Sequence, residues 1–276
     1  MKAQWQKYLA ELFGTFTLVF VGCAALVGVF RISGGQANVG GAVTLAPFAF
    51  GLAFLAGLYA FGETSGGHFN PAVSLAMFLD RRLSVVDLVA YWIFQFVGAI
   101  FASAILLLAF TKADVAGTTT APSYGKGAAV VIEIVMTAIF VLVFLQATKS
   151  DTFGASALIA IPLTLVAIHY ASIPISGASV NPARTLGPAL IGNSWTSIWI
   201  YFLGPAAGAI LGWLVHTVVV EGDIDIRDNV AEVAGEVTSE IHGGGAAVSD
   251  DQPDPAAPEW GTETDAGESS EEDSKS

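Results

Sequence analysis

The chain has 276 residues, 54% apolar and only 13% charged, about half the charged share of an ordinary soluble domain, yet its net charge is −13. Charge is segregated: residues 221–276 hold 17 acidic and 2 basic side chains, a net of −15, on a hydrophobic body of residues 1–220 with 7 acidic and 9 basic, a net of +2. A single cysteine, Cys23, excludes an intrachain disulfide or cysteine-cluster metal site, four scattered histidines lack zinc-enzyme spacing, and no basic stripe offers itself to a nucleic acid.

Six apolar stretches, about 8–30, 43–62, 87–110, 127–148, 154–173 and 197–220, have the length of about 20 residues that a helix needs to cross a bilayer. The first lacks the short apolar region and small-residue cleavage site of a signal peptide and is expected to remain as a span. Two further apolar pieces, 70–79 and 182–191, are too short to cross and too apolar for aqueous loops. They read as re-entrant half-helices. The tail, 221–276, has too few large apolar residues to fold and is expected to be mostly disordered. Val230, Val233, Val237 and Ile241 recur at helical spacing, so a short helix over 228–241 could lie on the body. The tail's acidity suits either a salt-rich cytosol or a basic regulatory partner.

An internal duplication orders these elements. Glu11 precedes Thr15 by four residues, as Glu133 precedes Thr137; Asn70-Pro71-Ala72 returns as Asn181-Pro182-Ala183; Gly98-Ala99-Ile100 returns as Gly208-Ala209-Ile210. Each copy holds three spans, an odd number, so the second is inverted in the membrane relative to the first. The expected organisation is a first repeat over 1–115 with its half-helix at 70–79, an inverted second repeat over 116–220 with its half-helix at 182–191, and the acidic tail. Lys2, Lys7, Arg81, Arg82 and Lys149 lie on the N-terminal side of the spans against Arg31, Lys112 and Lys126 on the other, which places both termini in the cytoplasm.

Asn is a strong helix N-cap and Pro suits the first helical position, so each Asn-Pro-Ala marks a helix start. Two half-helices meeting N-terminus to N-terminus at the membrane midplane aim two positive dipole ends at one point and repel cations there. Small residues ahead of each, Ser65-Gly66-Gly67 and Ser176-Gly177-Ala178, suit extended backbone lining a cavity. One buried carboxylate per half, Glu11 and Glu133, is expected to accept backbone donors from a re-entrant loop, with a proton relay as the alternative. His68 reads as a residue fixing that loop, and Cys23 as an inert interior thiol.

With Ser65-Gly66-Gly67-His68-Phe69-Asn70-Pro71-Ala72-Val73 and Asn181-Pro182-Ala183-Arg184 in a six-span body, the chain resembles the major intrinsic protein (aquaporin) family over about residues 5–220. The resemblance implies an all-α integral membrane fold of six transmembrane helices and two re-entrant half-helices, one pore per subunit and a homotetramer in the cell membrane. It also implies a passive channel and not an enzyme, with no cofactor or metal, water as permeant, and the lipid bilayer and further copies as partners. Residue by residue, Asn70, Pro71, Ala72, Asn181, Pro182 and Ala183 would line the pore centre. Phe50, His169, Ala178 and Arg184 would form a selectivity filter, and Glu11 and Glu133 would support the half-helices. His169 favours water over glycerol, as do Thr185, Ala189 and Tyr201-Phe202, which match the water branch. Ala178 departs from the Cys or Thr usual in strict water channels and leaves room for a broader neutral-solute channel passing glycerol. Water would move in single file past Asn70 and Asn181, which orient the central molecule and interrupt a proton wire, while Arg184 supplies a fixed positive barrier.

Overall fold

A computed structural model describes residues 4–32, 39–149, 154–222 and 226–242. Among these, every regular element is helical: α1 (Gln4–Ile32), α2 (Val39–Ser65), α3 (Pro71–Leu79), α4 (Val85–Leu106), α5 (Lys112–Gly117), α6 (Lys126–Lys149), α7 (Gly154–Ser176), α8 (Pro182–Gly192), α9 (Ile200–Val215), a π-helical turn (His216–Val220) and α10 (Ile226–His242). Six of them, α1, α2, α4, α6, α7 and α9 with its π-turn, are long and apolar enough to cross a membrane. Helices satisfy their own backbone polar groups, which lipid cannot do. The apolar surface they leave outside, including Leu52, Ile93, Phe101, Val131, Leu163 and Leu203, is exposed in the isolated chain and suits contact with acyl tails.

The two halves are interlocked. Within each, the first long helix packs on the next two, α1 on α2 and α4, and α6 on α7 and α9, and α2 meets α7 between the halves. The half-helices cross over: α3 packs on α9 of the second half, and α8 on α4 of the first. Close approach of α4 to α1 and of α9 to α6 explains why Gly98 and Gly208 recur. A Cβ on Gly98 would stand 2.3 Å from the Leu12 carbonyl oxygen of α1, and one on Gly208 2.5 Å from that of Ile134 on α6. Without a hydrophobic drive between helices in lipid, such small-residue contacts supply the dispersion energy that holds them together.

Most sequence-predicted boundaries fall within a few residues of these ends, with two differences. The third span stops at Leu106 and not near residue 110, because Thr111 and Asp114 form a reciprocal capping box that starts the separate short helix α5. The last span also loosens from α- to π-helical at His216 before reaching Val220. In the tail, α10 covers the expected 228–241 helix. Val233 and Val237 pack on the body, and Glu232 pairs with Arg81. The expected disorder of the tail beyond it concerns residues 243–276, outside the described residues.

Candidate functional site: a cavity between two helix N-termini

Both half-helices begin as their sequence dictates. Asn70 has extended backbone (φ −156°, ψ 122°) and its Oδ1 accepts from the Ala72 N–H at 2.9 Å. Asn181 (φ −144°, ψ 108°) does the same for Ala183 at 2.9 Å and Arg184 at 3.2 Å, with Pro71 and Pro182 at the first helical position of each. The two caps then reach across to each other's loop. Asn70 Nδ2 donates to the Val180 carbonyl at 2.9 Å, and Asn181 Nδ2 to the Phe69 carbonyl at 2.8 Å. A carboxamide nitrogen carries two N–H groups. One on each Asn is thus committed to the opposite loop, leaving the other for the cavity that both residues line.

The carbonyls that receive these bonds belong to strained residues. Phe69 and Val180 hold left-handed backbone with φ of 48° and 55°. For a β-branched residue such as Val180 this conformation costs about 1–3 kcal/mol. Glu11 and Glu133 hold it in place. Glu11 accepts from the His68 N–H (3.0 Å), the Phe69 N–H (2.6 Å), Ser65 Oγ (2.6 Å) and Gln95 Nε2 (2.7 Å). Glu133 accepts from the Ser179 N–H (2.8 Å), the Val180 N–H (2.7 Å) and Ser176 Oγ (2.6 Å). Tyr91 and Tyr201 close the same scheme, donating to the Ser65 and Ser176 carbonyls at 2.7 and 2.8 Å. Gln95 has no such counterpart, since the equivalent place in α9 is taken by Pro205. His68 Nδ1 lies 3.1 Å from Ser74 Oγ, which Gln95 also reaches, so this ring ties the loop to α3 and α4.

A narrow cavity runs past the paired asparagines. Leu18, Phe54, Phe140, Leu165 and Val180 give it apolar wall, and Asn70, Asn181, Ser179, His169 and Arg184 give it polar wall, with Phe50 among them. Phe50 and His169 stack with ring centroids 4.9 Å apart, and the Arg184 guanidinium carbon sits 5.0 Å from the Phe50 centroid. His169 Nδ1 is 2.8 Å from the Leu165 carbonyl, which can only accept, so Nδ1 carries the proton and Nε2 is the lone-pair nitrogen. Arg184 Nη1 donates to the Thr118 carbonyl at 3.0 Å. Neither His169 Nε2 nor Arg184 Nε has a hydrogen-bond partner among the described residues, and both side chains line the cavity.

The structure therefore brings Phe50, His169, Arg184, Asn70 and Asn181 around one cavity. Ala178 is fully buried and left-handed (φ 51°), its N–H donating to Ser176 Oγ, and it is not among the lining residues, whereas the next two residues are. Glu11 and Glu133 stand behind the loops and do not line the cavity. Sequence reasoning missed Thr118, whose carbonyl anchors Arg184 from an irregular segment that carries no motif. It also missed Phe69 and Val180, whose position immediately before each Asn was the available signal.

A family model for major intrinsic proteins matches residues 1–216. The chain belongs to the major intrinsic protein family. Members of this family are membrane channels and not enzymes, and the six apolar helices make this one a multi-pass membrane protein. Curated relatives include glycerol uptake facilitator protein-like 6 of Lactiplantibacillus plantarum, 40% identical over 75% of this chain and 94% of its own length. Aquaporin Z of Rhodopseudomonas palustris is 38% identical over 77% of this chain and 92% of its own length. Aquaporin NIP1-1 of Oryza sativa is 38% identical over 78% and 74%. Among solved structures, the aquaglyceroporin of Plasmodium falciparum superposes with a TM-score of 0.70 at 20% identity, covering 81% of this chain and 100% of its own, which establishes the shared fold.

Proposed function

We propose that this major intrinsic protein conducts water passively down osmotic gradients and excludes protons and ions. The observation that carries this reading is the crowding of Phe50, His169 and Arg184 around one cavity, with two aromatic rings stacked at 4.9 Å and a guanidinium 5.0 Å from one of them. Such a cross-section offers a small solute the His169 Nε2 acceptor and Arg184 donors but little width. Deeper in, the free N–H of Asn70 and of Asn181 both donate to the oxygen of a central water, so that molecule's hydrogens turn outward and cannot relay a proton. The N-terminal ends of α3 and α8 add about half a positive charge each. Apolar wall opposite the polar groups keeps any one binding position weak, as fast conduction requires.

Within this reading, Asn70-Pro71-Ala72 and Asn181-Pro182-Ala183 form the pore centre, Phe50, His169 and Arg184 the filter together with the loop from Ala178 to Val180, and Glu11 and Glu133 the support of the half-helices. The chain comprises an inverted pair of repeats, 1–115 and 116–220, followed by the tail. It assembles as a homotetramer in the cell membrane with both termini cytoplasmic. A broader neutral-solute channel passing glycerol is the second reading, favoured by the name of the Lactiplantibacillus plantarum relative. Osmotic shrinkage of proteoliposomes in stopped flow tests conduction itself. Water permeability well above that of empty liposomes is expected, and background permeability of the folded protein would overturn the proposal.

A further inference from the structure

A second cluster of functional groups lies away from the cavity, where α3 ends and the last span gives way to the tail. Asp80 follows the C-terminus of α3, His216 opens the π-turn, and Glu221 follows it. The wider turn is what joins them: the Glu221 N–H bonds back to the His216 carbonyl at 3.1 Å, which folds residue 221 over the imidazole. π-helical turns of this kind recur at functional sites. His216 Nδ1 faces Glu221 Oε1 at 3.6 Å and Asp80 Oδ1 at 3.8 Å, and the three donor atoms lie within 4.8 Å of one another.

The imidazole is fully buried, and its tautomer is set from behind. Nε2 lies 3.3 Å from Gln146 Oε1, an acceptor, so Nε2 carries the proton and Nδ1 presents a lone pair to two carboxylates. Nδ1 has no hydrogen-bond partner among the described residues. Three lone-pair donors facing one point repel each other unless a cation lies between them. Ligand bonds of about 2.0–2.2 Å in tetrahedral geometry separate donors by roughly 3.3–3.6 Å, close to the 3.6 and 3.8 Å between Nδ1 and the two carboxylate oxygens. A second ring nitrogen held by an outer acceptor is also the usual arrangement of a metal-ligating histidine.

We propose that Asp80, His216 and Glu221 form a binding site for a divalent transition-metal ion of the zinc class. One nitrogen and two carboxylate oxygens suit such an ion, whereas calcium and magnesium take all-oxygen sets. Two cationic side chains, Arg82 and Lys149, stand beside these groups. The Arg82 guanidinium forms an ion pair with the other oxygen of Asp80, Oδ2, its Nε 2.8 Å away, and so leaves Oδ1 to face His216. Lys149 pairs with Glu221 Oε1, the same oxygen that faces His216, so a metal ion would take its place; the lysine side chain is 49% exposed and can turn into water when displaced. The bound ion would fasten the outer end of the α3 half-helix to the root of the tail. No sequence motif announces this site, because its ligands are scattered over the chain and meet only through the fold.

The test is Zn²⁺ binding by the full-length protein in detergent, measured by equilibrium dialysis and by thermal stability, for wild type, Glu221→Gln and Asp80→Asn. Wild type is expected to bind one more Zn²⁺ per protomer than either variant, or to bind it at least 10-fold more tightly, and to gain thermal stability with Zn²⁺ that Mg²⁺ does not give. Four-coordinate Co²⁺ bands in the visible spectrum that disappear in His216→Gln would show the imidazole ligand. Glu221→Gln removes a partly exposed group far from the cavity, so retained water permeability will confirm that this variant is folded. Equal Zn²⁺ binding by all three proteins would assign the metal to the acidic tail and overturn the proposal, as would equal stabilisation by Mg²⁺.

Discussion

Replacing Glu133 with glutamine exchanges one carboxylate oxygen for an NH₂ group at nearly constant volume, which isolates its role as an acceptor. Glu133 Oε1 serves the Ser179 N–H and Ser176 Oγ, so the amide oxygen of glutamine is best kept there, and the new NH₂ then points at the Val180 N–H now bonded at 2.7 Å. One charge-assisted hydrogen bond is lost, about 1.5–3 kcal/mol, and a buried N–H is left unpaired, about 1–3 kcal/mol more. Together roughly 3–5 kcal/mol of support leaves a loop that already holds Val180 at a φ of 55°. As Val180 relaxes, its carbonyl turns from Asn70 Nδ2, and the free amide N–H of Asn70 loses its aim into the cavity. Thermal denaturation of the purified protein should show a fall of roughly 10 °C, at about 2–4 °C per kcal/mol for a chain of this size. Stopped-flow water permeability should fall with it. A variant within about 2 °C of wild type with undiminished water flux would refute the view that this carboxylate holds the loop.

Three further outcomes follow from the same geometry. Arg184→Val removes a unit charge worth about 3 kcal/mol to a cation about 5 Å away at an effective dielectric of about 20, so proton or small-cation leak should rise by roughly two orders of magnitude while water flux persists; unchanged conductance in a pH-sensitive dye assay would contradict the electrostatic barrier. Phe50→Ala with His169→Gly should admit glycerol at least about 10-fold faster by removing the stacked pair, and unchanged re-swelling would show that these rings do not set the width. Beside α5, the short helix that precedes Thr118, hydrogen bonds from Arg31 and then from Thr111 hold the Asp114 carboxyl down at about 2 from its ordinary 3.8. A lowered folded-state pKa contributes stability that is present above the ordinary value and lost as pH falls through the lowered one. The difference in thermal stability between wild type and Asp114→Asn should therefore be constant above about pH 5, shrink as pH falls from about 4 to 2 and vanish only below about 2; a difference as large at pH 2 as at pH 5 would contradict the pairing.

The fold was legible because lipid removes choices. A segment of about 20 apolar residues has only a helix available, and the strong Asn-Pro start signal survives even in the short half-helices. Repeat landmarks were legible for a related reason: Gly98 and Gly208 stand where helix backbones nearly touch, and no side chain fits there. Glu11 and Glu133 stood out as buried charges in apolar spans, and the structure gives each a re-entrant loop to hold. What the sequence did not reveal depends on contacts between distant, irregular segments. The Thr118 carbonyl behind Arg184 has no side-chain signature, α5 needed its Thr111–Asp114 cap to be seen as a helix start, and the π-turn at His216 breaks no rule of composition. Ala178 is the instructive case among the filter residues. The resemblance sets it beside Phe50, His169 and Arg184; it is buried with left-handed backbone, and the two residues that follow it, Ser179 and Val180, line the cavity.

The ratio of water to glycerol permeability of the wild-type channel in one set of proteoliposomes tests the central claim most directly. If Phe50, His169 and Arg184 set the width, vesicles should shrink rapidly in hyperosmotic glycerol and then re-swell no faster than empty liposomes. Rapid protein-dependent re-swelling would contradict that account and make this major intrinsic protein a neutral-solute channel.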